Sequence, residues 1–314
     1  MAKKKDLIEA LPPRSGRPLN VLFNLEAAIP NRYAGAEVMA HRMAKYLVDV
    51  GHDVTILTTY AGGVVDGVKV VNRGFALQPE RHIVDIWQKV DVVLTHLGQT
   101  GETQNKCNKF RKPLVHVIHN SFEEIFIRTK IKNSYIVYNS QWVKDVLKYA
   151  QNSIIVNPPV DYRVYQGVGK AERKMITLVN SNENKGGRQI IEIAKKMPQY
   201  DFLVVEGGYN EQIRDTKVKN ITYIPPVRDI KEALRRTKIL LALSEYESWG
   251  LAAVEAIACG IPVIANPTTG LVSSLDSAGI FVNRNDIASI CDAIETLMKD
   301  TKKYAEVNKK CIER

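Results

Sequence analysis

The stretch from Ile239 to Ala265 constrains this chain more than any other. Ile239-Leu240-Leu241-Ala242-Leu243 has the length and branching of a buried strand. Residues 244–249 are a polar turn, and the Ala-rich segment from Gly250 to Cys259 reads as a short helix. Gly260 stands where a helix C-terminal glycine is expected, and Pro262-Val263-Ile264-Ala265 reads as the next strand. A strand–turn–helix of this kind aims the free N–H groups of the helix start, with the positive end of its dipole, beyond the strand. That suits a diphosphate. Glu247 in the turn and Glu255 on the helix are separated by seven residues, and carboxylates placed there suit sugar or ribose hydroxyls.

The same alternation runs through the rest of the chain. Strands are expected at 19–25, 53–59, 91–95, 114–118, 135–138 and 154–156, and again at 175–179 and 202–205. Helical periodicity lies between them, as in Val38, Met39, Met43, Tyr46, Leu47 and Val50 ahead of Gly51-His52. Alternating strands and helices predict parallel, doubly wound sheets. Asn139-Ser140 is a good N-cap for the amphipathic run that follows it. Asn157-Pro158-Pro159-Val160-Asp161 and the aperiodic stretch after it mark an interdomain linker, and the pattern then restarts. The expected organisation is a loose basic tail over 1–18, a first Rossmann-like domain over 19–157 and a second over 158–300. A final helix over 301–314 follows.

The first βαβ unit lacks G-x-G-x-x-G and carries Ala34-Gly35 in its loop, which disfavours a dinucleotide-binding dehydrogenase. Gly35 offers an unhindered backbone approach. His96, His116 and His119 fall at or near strand ends, where ligands of open α/β sheets bind. His119 lies just past such an end and is the strongest candidate; His96 is weaker. His116 alternates into a strand and reads as packed, and His52 as structural. In the second half, Lys185-Gly186 at a loop-to-helix junction can meet a diphosphate as a point charge beside a helix start.

These motifs together resemble the retaining GT-B glycosyltransferases of the family 4 (group 1) type, over nearly all of residues 19–312. The resemblance is strongest at 244–265, with its Glu-x7-Glu and its Glu-Ala-x-Ala-x-Gly-x-Pro-Val-Ile-Ala tail. It implies two Rossmann-like doubly wound domains facing across a cleft. It also implies transfer of a sugar from a nucleotide-sugar donor, expected to be a UDP-sugar, with retention. Under it His119 contacts the donor sugar, Glu247 orients that sugar and Glu255 holds the ribose. Lys185, Gly35 and the N–H groups near Gly250 and Leu251 serve the diphosphate, and the backbone around Val227 meets the base. The family's loop glycine pair is reduced here to Ala34-Gly35, and its loop arginine reads as Asn180, with Arg188 a candidate replacement. The last helix of the resembled fold crosses back onto the first domain. No Asp-x-Asp occurs and cationic side chains take its place, so neither a metal nor a cofactor is expected.

A 45% apolar, 25% charged composition over 314 residues is that of globular domains, and no apolar run approaches a membrane span. The start of the chain lacks a signal-peptide core, and Cys107, Cys259, Cys291 and Cys311 show no C-x-x-C spacing, so a cytoplasmic protein with reduced thiols is expected. The net charge of +10 is uneven: residues 1–160 hold 21 Lys and Arg against 14 Asp and Glu. Lys106, Lys109, Arg111, Lys112, Arg128, Lys130 and Lys132 face only Glu123 and Glu124 in their window. A basic first domain points to an anionic partner. Three readings follow. The favoured acceptor is a glycan or lipid-linked glycan, with the basic surface at a membrane face; the second is a modified base in DNA; the third is an inactive nucleotide-sugar- or DNA-binding protein. Sequence does not fix the oligomeric state.

Overall fold

The computed structural model describes residues 16–60, 62–74, 80–122, 134–149, 152–169 and 171–314. Two compact units divide the chain, one built within Met1–Arg32, Ala36–Val137 and Ala150–Ile154, the other from Tyr33–Gly35, Tyr138–Tyr149 and Ile155–Arg314. The expected boundary near residue 157 is therefore crossed more than once. Of the expected basic tail, residues 1–15 lie outside the described residues, and so do Glu123, Glu124, Arg128, Lys130 and Lys132. Arg17 is not loose: its guanidinium meets Asp91 at 2.5 Å and holds that carboxyl below its usual range.

The first unit runs β1 (Asn20–Asn24), α1 (Gly35–Asp49), β2 (Asp53–Thr58), β3 (Gly63–Val65), β4 (Val68–Asn72), α2 (Glu80–Lys89), β5 (Val92–His96), α3 (Thr100–Phe110), β6 (Leu114–Ile118) and β7 (Ser134–Tyr138). After β7 come α4 (Gln141–Leu147), which groups with the second unit, and β8 (Ser153–Ile155). The sheet order is β3-β4-β2-β1-β5-β6-β7-β8. Strand β1 is buried along Val21–Phe23 and lies parallel between β2 and β5. Leu22, Leu57, Val71, Trp87, Val93, Cys107 and Leu114 close one face of the sheet. The chain lays β2 on one side of β1 and β5 on the other, so the strand order reverses between β1 and β5. A crevice opens beyond the carboxyl ends of strands at such a switch point.

The second unit repeats the plan. It runs β9 (Met175–Val179), α5 (Gly187–Lys196), β10 (Phe202–Val205), β11 (Ile221–Ile224), α6 (Lys231–Leu234), β12 (Thr237–Ala242), α7 (Leu251–Ala258) and β13 (Val263–Ala265). It ends with α8 (Thr269–Leu275), β14 (Gly279–Phe281), α9 (Ile287–Lys299) and α10 (Thr301–Glu313). The order β11-β10-β9-β12-β13-β14 is parallel throughout, with Thr177 paired to Leu240 across β9 and β12. The reversal falls between β9 and β12, and it delivers the loop holding Lys185 beside the turn holding Glu247.

One sequence expectation is corrected. Ser140 does precede α4 in an extended conformation, but its side chain makes no cap bond, since its hydroxyl donates to Asn139 Oδ1 at 3.2 Å. The final helix places Val307 and Cys311 in the core of the second unit, and Cys311 Sγ reaches Ile261 O at 3.6 Å. It packs against α7 and α9 within that unit. Among the described residues no helix is long and apolar enough to cross a membrane. Replacing Val307 by Ala removes two buried methyl groups from this contact and is expected to lower the stability of the second unit by about 1–3 kcal/mol in urea unfolding. An unchanged midpoint would show that the helix contributes nothing to that core.

Candidate functional site

Gly250 makes the turn after β12 possible. Its φ is 86°, and a Cβ there would meet Leu271 Cδ2 at 2.5 Å and Glu247 Cγ at 3.4 Å. The chain can therefore fold back on Glu247 only without a side chain at 250. The turn is fixed from α4 as well: Asn139 Nδ2 donates to Ser248 Oγ and Trp142 Nε1 to Ser248 O, both at 2.8 Å, and the Trp142 and Tyr246 rings meet edge to face at 5.8 Å. Glu247 is thereby presented with its carboxylate accepting from Ser244 Oγ at 3.2 Å.

The same carboxylate is in a close ion pair with Lys185 Nζ, both side chains being about four-fifths buried at 18% and 19% exposure. Burial by itself would depress the ammonium, but the charge and hydrogen bond of Glu247 together outweigh it and raise the Lys185 pKa. Lys185 closes a single helical turn whose start is capped by Asn182 Oδ1, which accepts from Lys185 N at 3.0 Å.

Side-chain capping differs among the helices of the second unit, and α4 and α6 lack it. Helices α8, α9 and α10 have side-chain N-caps from Thr268, Asp286 and Asp300. Helices α5 and α7 do not: each begins at a glycine in the left-handed region, Gly186 and Gly250, with no side-chain cap bond. These are the two helices that follow the Lys185 loop and the Glu247 turn. Gly187 N donates to Asn182 O at 3.3 Å, but no side chain caps either helix start, and an anion fits at their dipole ends.

The other expected residues divide. Glu255, on α7, is 5% exposed and accepts a 2.8 Å hydrogen bond from the phenol of Tyr165, itself 4% exposed. Tyr165 lies in the stretch read as an aperiodic linker, where nothing in sequence pairs it with a residue 90 positions away. Val227 is half-buried against Leu203, Val205 and Ala233. Gly35 groups with the second unit, and an added Cβ there would meet nothing within 4 Å. Arg188 does not join Lys185: its guanidinium is 72% exposed and pairs with Glu183 at 2.7 Å. Asn180 has φ 69° and is buried, its Oδ1 accepting from Asn182 N at 3.2 Å and Gln212 Nε2 at 3.1 Å, so it braces the loop. Arg284, which sequence reading passed over, donates from the segment after β14 to the carbonyls of Glu183 and Asn184.

In the first unit the histidines cluster. His96 Nδ1 and His119 Nε2 are 2.9 Å apart, and His116 Nε2 lies 3.2 Å from Thr100 Oγ1. His116 is buried as expected, and His52 accepts from Leu19 N. Burial pushes His96 down to about 3, His116 to about 4 and His119 well below its ordinary value, with neighbouring imidazoles adding to the shift at His96 and His119. All three are neutral at pH 7, so one ring of the His96–His119 bond donates and the other accepts. Among the described residues no group of three or more His, Cys, Asp or Glu is placed to hold a metal. The four cysteines are free, and burial raises Cys107 and Cys311 to about 12.

Comparison with known proteins settles the family. The sequence model for glycosyl transferases group 1 matches residues 161–314, and that for Glycosyltransferase Family 4 matches residues 33–169. The chain belongs to this glycosyltransferase family. It is 23% identical over 158 residues to the N-acetyl-alpha-D-glucosaminyl L-malate synthase of Bacillus anthracis, covering 47% of this chain and 42% of the relative. It is 23% identical over 161 residues to the GDP-mannose:cellobiosyl-diphosphopolyprenol alpha-mannosyltransferase of Xanthomonas oryzae pv. oryzae, covering 46% and 42%. These matches span about two-fifths of the length of each relative. A HepE protein of Anabaena, solved with UDP-glucose, shares the fold at a TM-score of 0.78, with 16% identity over 94% of each chain. The GT-B class of two parallel-sheet α/β domains is thereby shared across nearly the whole chain.

Two outcomes follow. Because Arg188 points outward, Arg188→Ala is expected to change nucleotide affinity less than about twofold, well inside the scatter of surface substitutions; a tenfold loss would bring Arg188 into the site. His96 and His116 have folded pKa values below the unfolded value of about 6.5, so the unfolded chain binds more protons under acid. Their stability contribution is complete above pH 6.5 and falls by up to about 1.4 kcal/mol per pH unit per histidine as pH drops toward the folded pKa. Urea unfolding at pH 7 and pH 5 checks this, and His96→Asn should show the shallower decline.

Proposed function

We propose that this protein transfers a sugar from a UDP-sugar to an acceptor hydroxyl, with retention and without a metal. The observation that carries the reading is the Lys185–Glu247 pair set among the side-chain-free N-termini of α5 and α7. A departing nucleoside diphosphate needs positive charge that is already in place. Lys185 and two helix starts, that of α5 and that of α7 at Gly250 and Leu251, supply it. In the unliganded protein Glu247 neutralises Lys185. An arriving diphosphate competes for the ammonium and frees the Glu247 carboxylate to accept from donor-sugar hydroxyls, which orients the sugar. Glu255, held by Tyr165, takes the ribose hydroxyls, and the backbone at Val227 the base. His119, neutral and fixed by His96, hydrogen-bonds the donor sugar. Gly35 leaves room for backbone N–H groups near the phosphates.

The acceptor in this reading is a glycan or lipid-linked glycan. The mannosyltransferase relative is named for a diphosphopolyprenol-linked acceptor, which supports that class. Lys109 and Arg111 at the exposed end of α3 are basic, as a surface facing anionic headgroups requires. Lys106 is engaged with Glu102 at 2.6 Å and Lys112 with Gln88 O at 2.8 Å, so fewer of that cluster remain for a partner than the sequence suggested.

Nucleotide release from UDP-, GDP- and ADP-sugars, with polyprenol-diphosphate glycans or hydroxymethylated DNA as acceptor, tests the proposal. Lys185→Ala and Glu247→Ala should each lower kcat/KM by about 10²–10³-fold, as removal of a preorganised charge does. Gly35→Val should fold normally and raise the donor KM. Release stimulated only by DNA would overturn the glycan acceptor. Absence of both release and nucleotide binding across the panel would overturn the transferase.

A further inference from the structure

A buried guanidinium ties together the two turns that carry Lys185 and Glu247. Arg284 is 7% exposed. Its Nη2 donates to Glu183 O at 2.9 Å and Gln189 Oε1 at 3.3 Å, and its Nη1 to Asn184 O at 3.2 Å. Those two carbonyls belong to the single turn that ends in Lys185. Asn184 O also accepts from Glu245 N at 2.8 Å, and Asn184 Oδ1 from Tyr246 N at 3.2 Å, which joins this turn to the one bearing Glu247. Asn266 closes the circuit: its Oδ1 accepts from Arg284 N at 3.1 Å, and its Nδ2 donates to Ser244 O at 2.8 Å.

The carboxylate partner of this guanidinium is Glu245, 3.6 Å away with a side chain 74% exposed, so solvent screens the pair. A buried cation held mainly by carbonyls is costly, and a methionine or leucine would fill the same volume without that cost. What the guanidinium adds is geometry and charge. Its planar fork fixes the carbonyls of one turn in a single arrangement, and its positive charge stands behind the loop from which Lys185 reaches the proposed anion site.

We propose that Arg284 is a positioning residue of the diphosphate subsite. It holds the Lys185 turn in register with the Glu247 turn and adds its charge to the field at the leaving group. The inference rests on the nucleotide-sugar reading above. Arg284 sets how well Lys185 meets the β-phosphate and leaves contacts to base and ribose unchanged.

The test is calorimetric binding of UDP and UMP to wild type, Arg284→Met, Arg284→Lys, Lys185→Ala and the Lys185→Ala/Arg284→Met double variant, each with a thermal unfolding scan. GDP with GMP, or ADP with AMP, replaces the pair where wild type prefers that base. Arg284→Met is expected to weaken UDP about tenfold and UMP less than about threefold, with Arg284→Lys recovering part of the UDP affinity. In the Lys185→Ala background the same change should cost less than about threefold, because the two residues act through one contact. Where Arg284→Met does not fold, Arg284→Lys carries the test, and it must weaken UDP more than UMP. Unchanged UDP affinity, equal losses of UDP and UMP, or additive losses with Lys185→Ala would each overturn the assignment while leaving the transferase intact. A wild type that binds none of the three diphosphates would overturn the transferase reading, and this inference with it.

Discussion

The ion pair between Lys185 and Glu247 is the contact on which the chemistry proposed for the second unit depends. Neither residue would face the other without the strand order β11-β10-β9-β12-β13-β14, which seats β9 beside β12 although β10 and β11 come between them in sequence. Parallel neighbours deliver their following loops to the same end of the sheet, and the reversal of order there leaves a crevice between the loops. A partly buried lysine alone would lose charge, and a partly buried carboxylate alone would gain a proton. Paired, they keep both charges ready, and a dianionic ligand can exchange with the pair at little desolvation cost.

The surroundings of the pair keep its backbone in place without capping the starts of α5 and α7 by a side chain. Gly186 and Gly250 start α5 and α7 in a conformation that offers no side chain to the helix N–H groups. Helices α8, α9 and α10, by contrast, are capped by Thr268, Asp286 and Asp300. Rigidity comes from behind instead, through Arg284, Asn266, Trp142 and Asn139, none of which occupies the helix starts. Binding groups held by a polar scaffold in this way need little rearrangement when charge develops on a leaving group.

The sequence reveals the strands of this fold well, and for a physical reason. Strands buried on both faces appear as unbroken apolar runs, and the expectations at 114–118, 175–179 and 202–205 coincide with β6, β9 and β10. The hairpin β3–β4 and the strand β14 escaped notice because they are short and only partly apolar. Candidate residues that lie in motifs, Lys185, Glu247, Glu255 and His119, could be picked from spacing and resemblance. Tyr165 and Arg284 could not, since their partners lie 90 and about 100 residues away and no local pattern marks either. Arg188 misled for the converse reason. It sits close to the loop in sequence, but its place on the first turn of α5 turns it toward Glu183 and solvent. The partners of the last helix within the second unit were not legible, because amphipathicity tells that a face is buried and not against what.

The most direct measurement of the central claim is an amide NMR titration of the protein with UDP, followed residue by residue. The account predicts saturable shifts at the amides of Arg188 and Gln189 and of Gly250, Leu251 and Ala252, lost together in Lys185→Ala. Saturable shifts confined to other surfaces, with those five amides unmoved, would contradict it.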